Sequence, residues 1–127
     1  FLAKKYGLIP IERKKIYSAI GSLAEVETAL NNGVSAMIAP EGTRTLTGEL
    51  GPFKKGAFHV AKNTGITIIP VALIGAFEAK NKNDWRVKPG VLSTIFGDPI
   101  TQNDYDGLSV ENLRDLVRSK IFELKNN

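Results

Sequence analysis

No cysteine occurs anywhere in the 127 residues. A disulfide framework, thiolate metal sites and a cysteine nucleophile are thereby excluded. Histidine is almost as scarce. His59 stands alone, with lysines near it on the predicted outer face of a helix, and reads as an ordinary exposed histidine. Long apolar runs are missing as well: no stretch approaches the roughly 20 residues of a membrane-crossing helix, and no secretory leader pattern is present. Beginning at Phe1 rather than Met, the chain is expected to be a soluble piece of a longer polypeptide. Acidic residues are the minority, 13 against 17 Lys and Arg, which gives a formal charge of +4. That balance favours anionic partners, although it also serves simple solubility. Nucleic acid is not the expected one: the lysines are scattered, the glycines form no Walker loop, and aromatics do not interleave with basic residues.

What the chain does contain is enough apolar material, 43% of residues, for one domain with a real core. Leu8–Ile11 reads as a short strand. Ser22 with Glu25 forms a capping-box pattern, and Leu23, Val26 and Leu30 recur at helical spacing, predicting a helix over Ser22–Asn32 that ends at Gly33. Val34–Ala39 reads as a buried strand and Leu46–Pro52 as a loop placed to close over a ligand. Phe53–Thr64 is a predicted helix with Phe53, Ala57, Val60 and Ala61 inward, ended by Gly65. The β-branched run Ile66–Ile74 has the pattern of a strand buried on both faces. A polar connection, Gly75–Gly90, carries Trp85, which is expected to cap the edge of the core. Val91–Phe96 is a further strand, and Ser109–Leu124 a closing helix with Val110, Leu113, Val117, Ile121 and Leu124 inward. The order defines an α/β domain with a largely parallel (mixed) sheet flanked by helices.

One stretch organises the rest. After the strand Val34–Ala39, Pro40 cannot donate to a ladder, and Gly42 permits a positive-φ turn, so Glu41 and Arg44 emerge together at a sheet edge. Open α/β sheets bind ligands at that edge. The plain alternative is a solvated turn, with Glu41 and Arg44 as a surface ion pair contributing roughly 0 to 1 kcal/mol. Lys54, Lys55 and Gly56 open the next helix, where unpaired N–H groups and the dipole suit an anion. Arg13 follows the first strand, with Lys14 and Lys15 beside it as solvated charges.

The run Pro40, Glu41, Gly42, Thr43, Arg44, Thr45 resembles the third motif of the glycerolipid acyltransferases, typified by lysophosphatidate acyltransferase, which reads Phe-Pro-Glu-Gly-Thr-Arg-Ser. Ala39 and Thr45 are the departures. Gly51–Phe58 and the Pro70-containing run Ile66–Val71 are also similar to that family, and Gly7–Arg13 resembles its second motif. The resemblance extends from the first residues to about Ile100. It implies an acyl transfer from acyl-CoA or acyl-carrier protein to a lysophospholipid hydroxyl, with no further cofactor and no metal. It also implies that Arg13, Glu41, Gly42, Thr43 and Arg44 serve the acceptor, with Glu41 orienting an arginine or accepting from a glycerol hydroxyl. A membrane-associated protein acting at the cytoplasmic face of the membrane is the implied setting.

The family's first motif, His-x-x-x-x-Asp, is absent, since His59 has Thr64 five positions on. In the family this motif precedes the second. Residues 1–127 are therefore expected to be a single partial acyltransferase domain, N-terminally truncated and inactive alone, with the catalytic pair upstream of Phe1. The alternative is a non-catalytic anion- or phosphate-binding α/β module.

Overall fold

The computed structural model describes residues 5, 7–9, 16–80 and 82–127. Helix α1 (Ile16–Asn31) is followed by α2 (Gly56–Thr64), β1 (Val71–Ile74), a short α3 (Ala76–Ala79), β2 (Ser93–Phe96), a short α4 (Gln102–Tyr105) and the long closing helix α5 (Val110–Asn126).

The helices form where apolar spacing and end signals agree. Helix α5 starts at Ser109, whose Oγ accepts the Asn112 N–H at 3.1 Å, and it buries Leu113 and Val117 one turn apart. Helix α2 ends at Gly65, which adopts φ 68° and donates its N–H to Ala61 O. Phe58, Val60 and Ala61 form the buried side of α2, and His59 is exposed as expected. Helix α1 begins six residues before the predicted start. Ser22 lies in its interior and is buried together with Val26, one turn on, so the Ser22–Glu25 pattern is not a cap. The spacing shared by a capping box and a helix face made the two indistinguishable in sequence.

The core joins the last third of the chain to α2. Phe53, Phe58, Ala61, Ile100, Tyr105, Leu113 and Val117 form one buried cluster. The Phe53 and Phe58 rings stack at 6.4 Å, nearly parallel. Tyr105, unremarked in the sequence, is 1% exposed; its hydroxyl reaches Ile66 O at 2.6 Å and Ala61 O at 3.1 Å, tying α4 to the end of α2. Burial, with Asp106 nearby, raises the phenol above its ordinary pKa. Asp104 accepts from the Thr101 N–H at 2.8 Å and hydroxyl at 2.9 Å, and these bonds hold its carboxyl below the usual range.

The sheet differs from expectation. Among the described residues it has two strands, and they run antiparallel, with Val71 opposite Phe96 and Ile74 opposite Ser93. Ile68 and Ile100 extend the pairing by one isolated bridge. The predicted strand Ile66–Ile74 is thus shortened to β1, and it is not covered on both faces: Ala72 is buried, whereas Ile69 is 53% and Leu73 56% exposed. Helix α5 packs against β1 on the covered side. Val34–Ala39 forms no strand, and its apolar side chains are exposed. A strand requires a neighbouring edge for its backbone groups, and no described segment offers one there. Leu8 and Ile9 likewise form no strand, and the rest of that predicted element lies outside the described residues. Trp85, expected at the core, is 86% exposed. Its neighbours bond to each other, Asp84 Oδ1 accepting from Arg86 N at 3.0 Å and Nε at 3.2 Å, so the local turn satisfies itself without docking the indole.

Candidate functional site

Residues 40–54 form a closed loop whose neck is a backbone bond from Lys54 N to Pro40 O at 2.8 Å. At its start the Gly42 N–H donates to Ala39 O at 3.0 Å. Gly42 takes φ 69°, and a Cβ there would lie 3.1 Å from Lys54 Cε, so both the backbone and the adjoining lysine stem call for glycine.

Glu41 is turned into this loop. Its Oε2 accepts the Gly51 N–H at 2.8 Å, and a Cβ on Gly51 would approach the same oxygen to 3.1 Å. Glu41 and Arg44 therefore make no ion pair, and the solvated-pair alternative does not describe the turn. Nor does Glu41 bond directly to an arginine among the described residues. Thr45 keeps a hydroxyl where the family pattern has serine, and that hydroxyl accepts from Thr47 N at 3.2 Å and Gly48 N at 3.1 Å. Thr43 Oγ1 lies 3.5 Å from Arg44 O.

The far side of the loop is fastened to α5. Arg118 donates from Nε to Gly51 O at 3.1 Å and from Nη2 to Leu50 O at 2.7 Å. Lys125 Nζ donates to Gly48 O. Leu46–Pro52, read from sequence as a segment free to close over a ligand, is instead tied down at Gly48, Leu50 and Gly51. Arg118 escaped the sequence reading. The available signal was its spacing of seven from Lys125, which places both cations on one stripe beside the apolar face of α5.

Three cations surround the turn. Arg44 is exposed, and its guanidinium makes no hydrogen bond or ion pair with any described residue. Lys54 is exposed with its stem against Gly42. Lys82 places Nζ 3.4 Å from Thr43 Oγ1 across 39 residues of chain, a meeting no local pattern announces. Lys55, proposed from sequence as an anion ligand, pairs instead with Glu111 at 2.8 Å. The hydrogen bond from Lys55 holds the Glu111 carboxyl below its ordinary pKa. Gly56 also has another role: a Cβ there would meet Leu23 Cδ1 at 3.0 Å, so it permits the close approach of α1 and α2. Arg13 lies outside the described residues. The structure thus gathers Glu41, Gly42, Thr43, Arg44 and Lys54, and adds Lys82 and Arg118. Chemically the cluster suits an anion with several oxygens, because its carboxylate is already committed to a backbone N–H.

A family model described as Acyltransferase matches residues 1–74, and the chain belongs to that family. It is 36% identical over 110 residues to a 1-acyl-sn-glycerol-3-phosphate acyltransferase of Cocos nucifera, covering 86% of this chain and 36% of that protein. It is 32% identical over 120 residues to the 1-acyl-sn-glycerol-3-phosphate acyltransferase alpha of Mus musculus, covering 93% of this chain and 42% of that protein. Among solved structures it is similar to the 1-acyl-sn-glycerophosphate (LPA) acyltransferase PlsC from Thermotoga maritima. There the TM-score is 0.76 at 30% identity, over 83% of this chain and 43% of that one. The chain accordingly spans well under half the length of these relatives. The acyltransferase fold expected from the motifs is supported by this likeness, while the parallel sheet is not part of the described residues.

Proposed function

We propose that this chain is the acceptor-binding part of an enzyme that moves a fatty acyl group from acyl-CoA or acyl-carrier protein to the hydroxyl of a lysophospholipid such as lysophosphatidate, in phospholipid synthesis. The observation that carries the reading is the Pro40–Arg44 turn. Its one carboxylate is held by Gly51, its arginine side chain stands unpaired among the described residues, and Lys54 and Lys82 reach the same turn at Gly42 and Thr43. Arg13 is assigned to the acceptor on its position in the second motif alone. The relatives' names, all 1-acylglycerol-3-phosphate acyltransferases, support this choice of acceptor. Transfer requires a base to take the acceptor proton as its oxygen attacks the thioester carbonyl and the thiol departs. That base is assigned to a His-x-x-x-x-Asp motif preceding this segment in the full-length protein, acting at the cytoplasmic face of the membrane.

Arg44 supplies the test. A forked guanidinium on phosphate contributes roughly 1.5 to 3 kcal/mol, and about 1.4 kcal/mol is a factor of ten. Arg44→Ala in the full-length protein is therefore expected to lower efficiency by roughly ten- to a hundredfold, mostly through the acceptor KM. Lysine is expected to restore it in part, because the charge remains and the fork is lost. Steady-state kinetics with both substrates varied decide the matter. An unchanged acceptor KM, or an equal loss with an acceptor lacking phosphate, removes Arg44 from the phosphate site.

A further inference from the structure

One peptide unit in the loop is gripped at both ends by opposite charges. The N–H of the Leu50–Gly51 peptide donates to Glu41 Oε2 at 2.8 Å, while its carbonyl, Leu50 O, accepts from Arg118 Nη2 at 2.7 Å. Arg118 Nε takes the next carbonyl, Gly51 O, at 3.1 Å. A carboxylate on the N–H end of a peptide dipole and a guanidinium on its C=O end each strengthen the other's bond. Arg118 follows Val117, which is 4% exposed in the core, so the base of this arginine is fixed by packing. In the loop before Phe53, Leu50 is partly buried against the same core, while Leu46 is exposed.

We propose that Arg118 is a positioning residue for the acceptor site: through the Leu50–Gly51 peptide it holds the Glu41 carboxylate in place, and so sets where the Gly42–Arg44 turn presents its arginine. The proposal rests on the reading of that turn as the acceptor site. It assigns Glu41 a structural task, as the far end of a charge relay whose near end, Arg118, is half-buried on α5 next to the core residue Val117. Lysine cannot reproduce the arrangement, since a single ammonium does not span two successive carbonyls with a planar fork. Lys125 on Gly48 O keeps the loop attached when Arg118 is changed, which confines the defect to residues 50–51 and the turn they support.

The test uses the full-length protein with Arg118→Gln, Arg118→Lys, Glu41→Gln and the Arg118→Gln/Glu41→Gln pair. Arg118→Gln is expected to raise the acceptor KM about tenfold, with donor KM and Tm nearly unchanged, and Arg118→Lys to recover part of the loss. The double variant is expected to be no worse than the poorer single one, because both substitutions break the same relay. Exchange of the Gly51 amide is expected to accelerate in Arg118→Gln although Glu41 is intact. Additive losses in the double variant, or an acceptor KM unmoved in Arg118→Gln while Arg44→Ala raises it, overturn the proposal. An acceptor KM unmoved in both Arg118→Gln and Arg44→Ala, with Gly51 exchange accelerated, overturns instead the reading of the turn as an acceptor site. If Arg118→Gln does not fold, Arg118→Lys and Glu41→Gln decide by the same readouts.

Discussion

Residues 34–39 and 40–53 adjoin in the chain and behave oppositely. The first segment is mostly apolar and belongs inside by composition, yet Val34 is 57% and Met37 84% exposed. The second is rich in glycine, threonine and charge and belongs outside, yet Glu41, Thr45, Leu50 and Gly51 are half-buried and Phe53 fully so. The difference lies in partners. Each backbone group of the loop that matters has a donor or acceptor supplied by Glu41, Thr45, Arg118 or Lys125, whereas the apolar segment finds no strand edge among the described residues. Hydrophobicity alone gives no address; hydrogen bonds and packing partners do.

The contrast can be broken at three points in the 127-residue chain, read by urea unfolding. The largest effect is expected for Phe53→Ala, which empties the stacked site against Phe58 and removes the loop's apolar anchor. A loss of about 3 to 5 kcal/mol is expected, and one under about 1 kcal/mol would mean the loop does not depend on the core. Thr45→Ala comes next. It deprives two amides of one acceptor and is expected to cost about 1 kcal/mol, while Thr45→Ser is expected to cost almost nothing. Equal losses for alanine and serine would show that the methyl group, not the hydroxyl, is what the loop uses. Met37→Ala should have the smallest effect, within about 0.5 kcal/mol, as for an exposed side chain. A cost above about 2 kcal/mol would place residues 34–39 in a packed environment and erase the contrast.

Much of the helical structure was legible beforehand. The apolar repeat of α5 with its start at Ser109 and the end of α2 at Gly65 are local patterns that packing used as they stood, whereas α2 starts at Gly56 rather than Phe53 and buries Phe58 beside Val60 and Ala61 while Ala57 is half-buried. The motif Pro40–Thr45 was legible for the same reason, because its turn depends on Pro40 and Gly42 themselves. Ser22 failed because a cap signature and a helix face share the same spacing. Trp85 failed because burial depends on whether a neighbouring surface exists, and the Asp84–Arg86 turn closes on itself.

By itself the sequence determined the periodic helices, the positive-φ glycine of the turn, the lack of thiol chemistry and the family to which the chain belongs. Only the tertiary structure decided that β1 and β2 pair antiparallel, that Lys55 is taken up by Glu111, and that Glu41 faces Gly51 rather than Arg44. Lys82 beside Thr43 and Arg118 beneath the loop belong to the same class. The physical reason is range. A turn or a helix face is specified by residues within a few positions of each other, but a strand pairing, an ion pair or a carbonyl's donor is chosen by whichever group the packed chain brings within hydrogen-bonding distance. Here that group lies between 10 and 68 residues away in the loop's own contacts with Glu41 and Arg118.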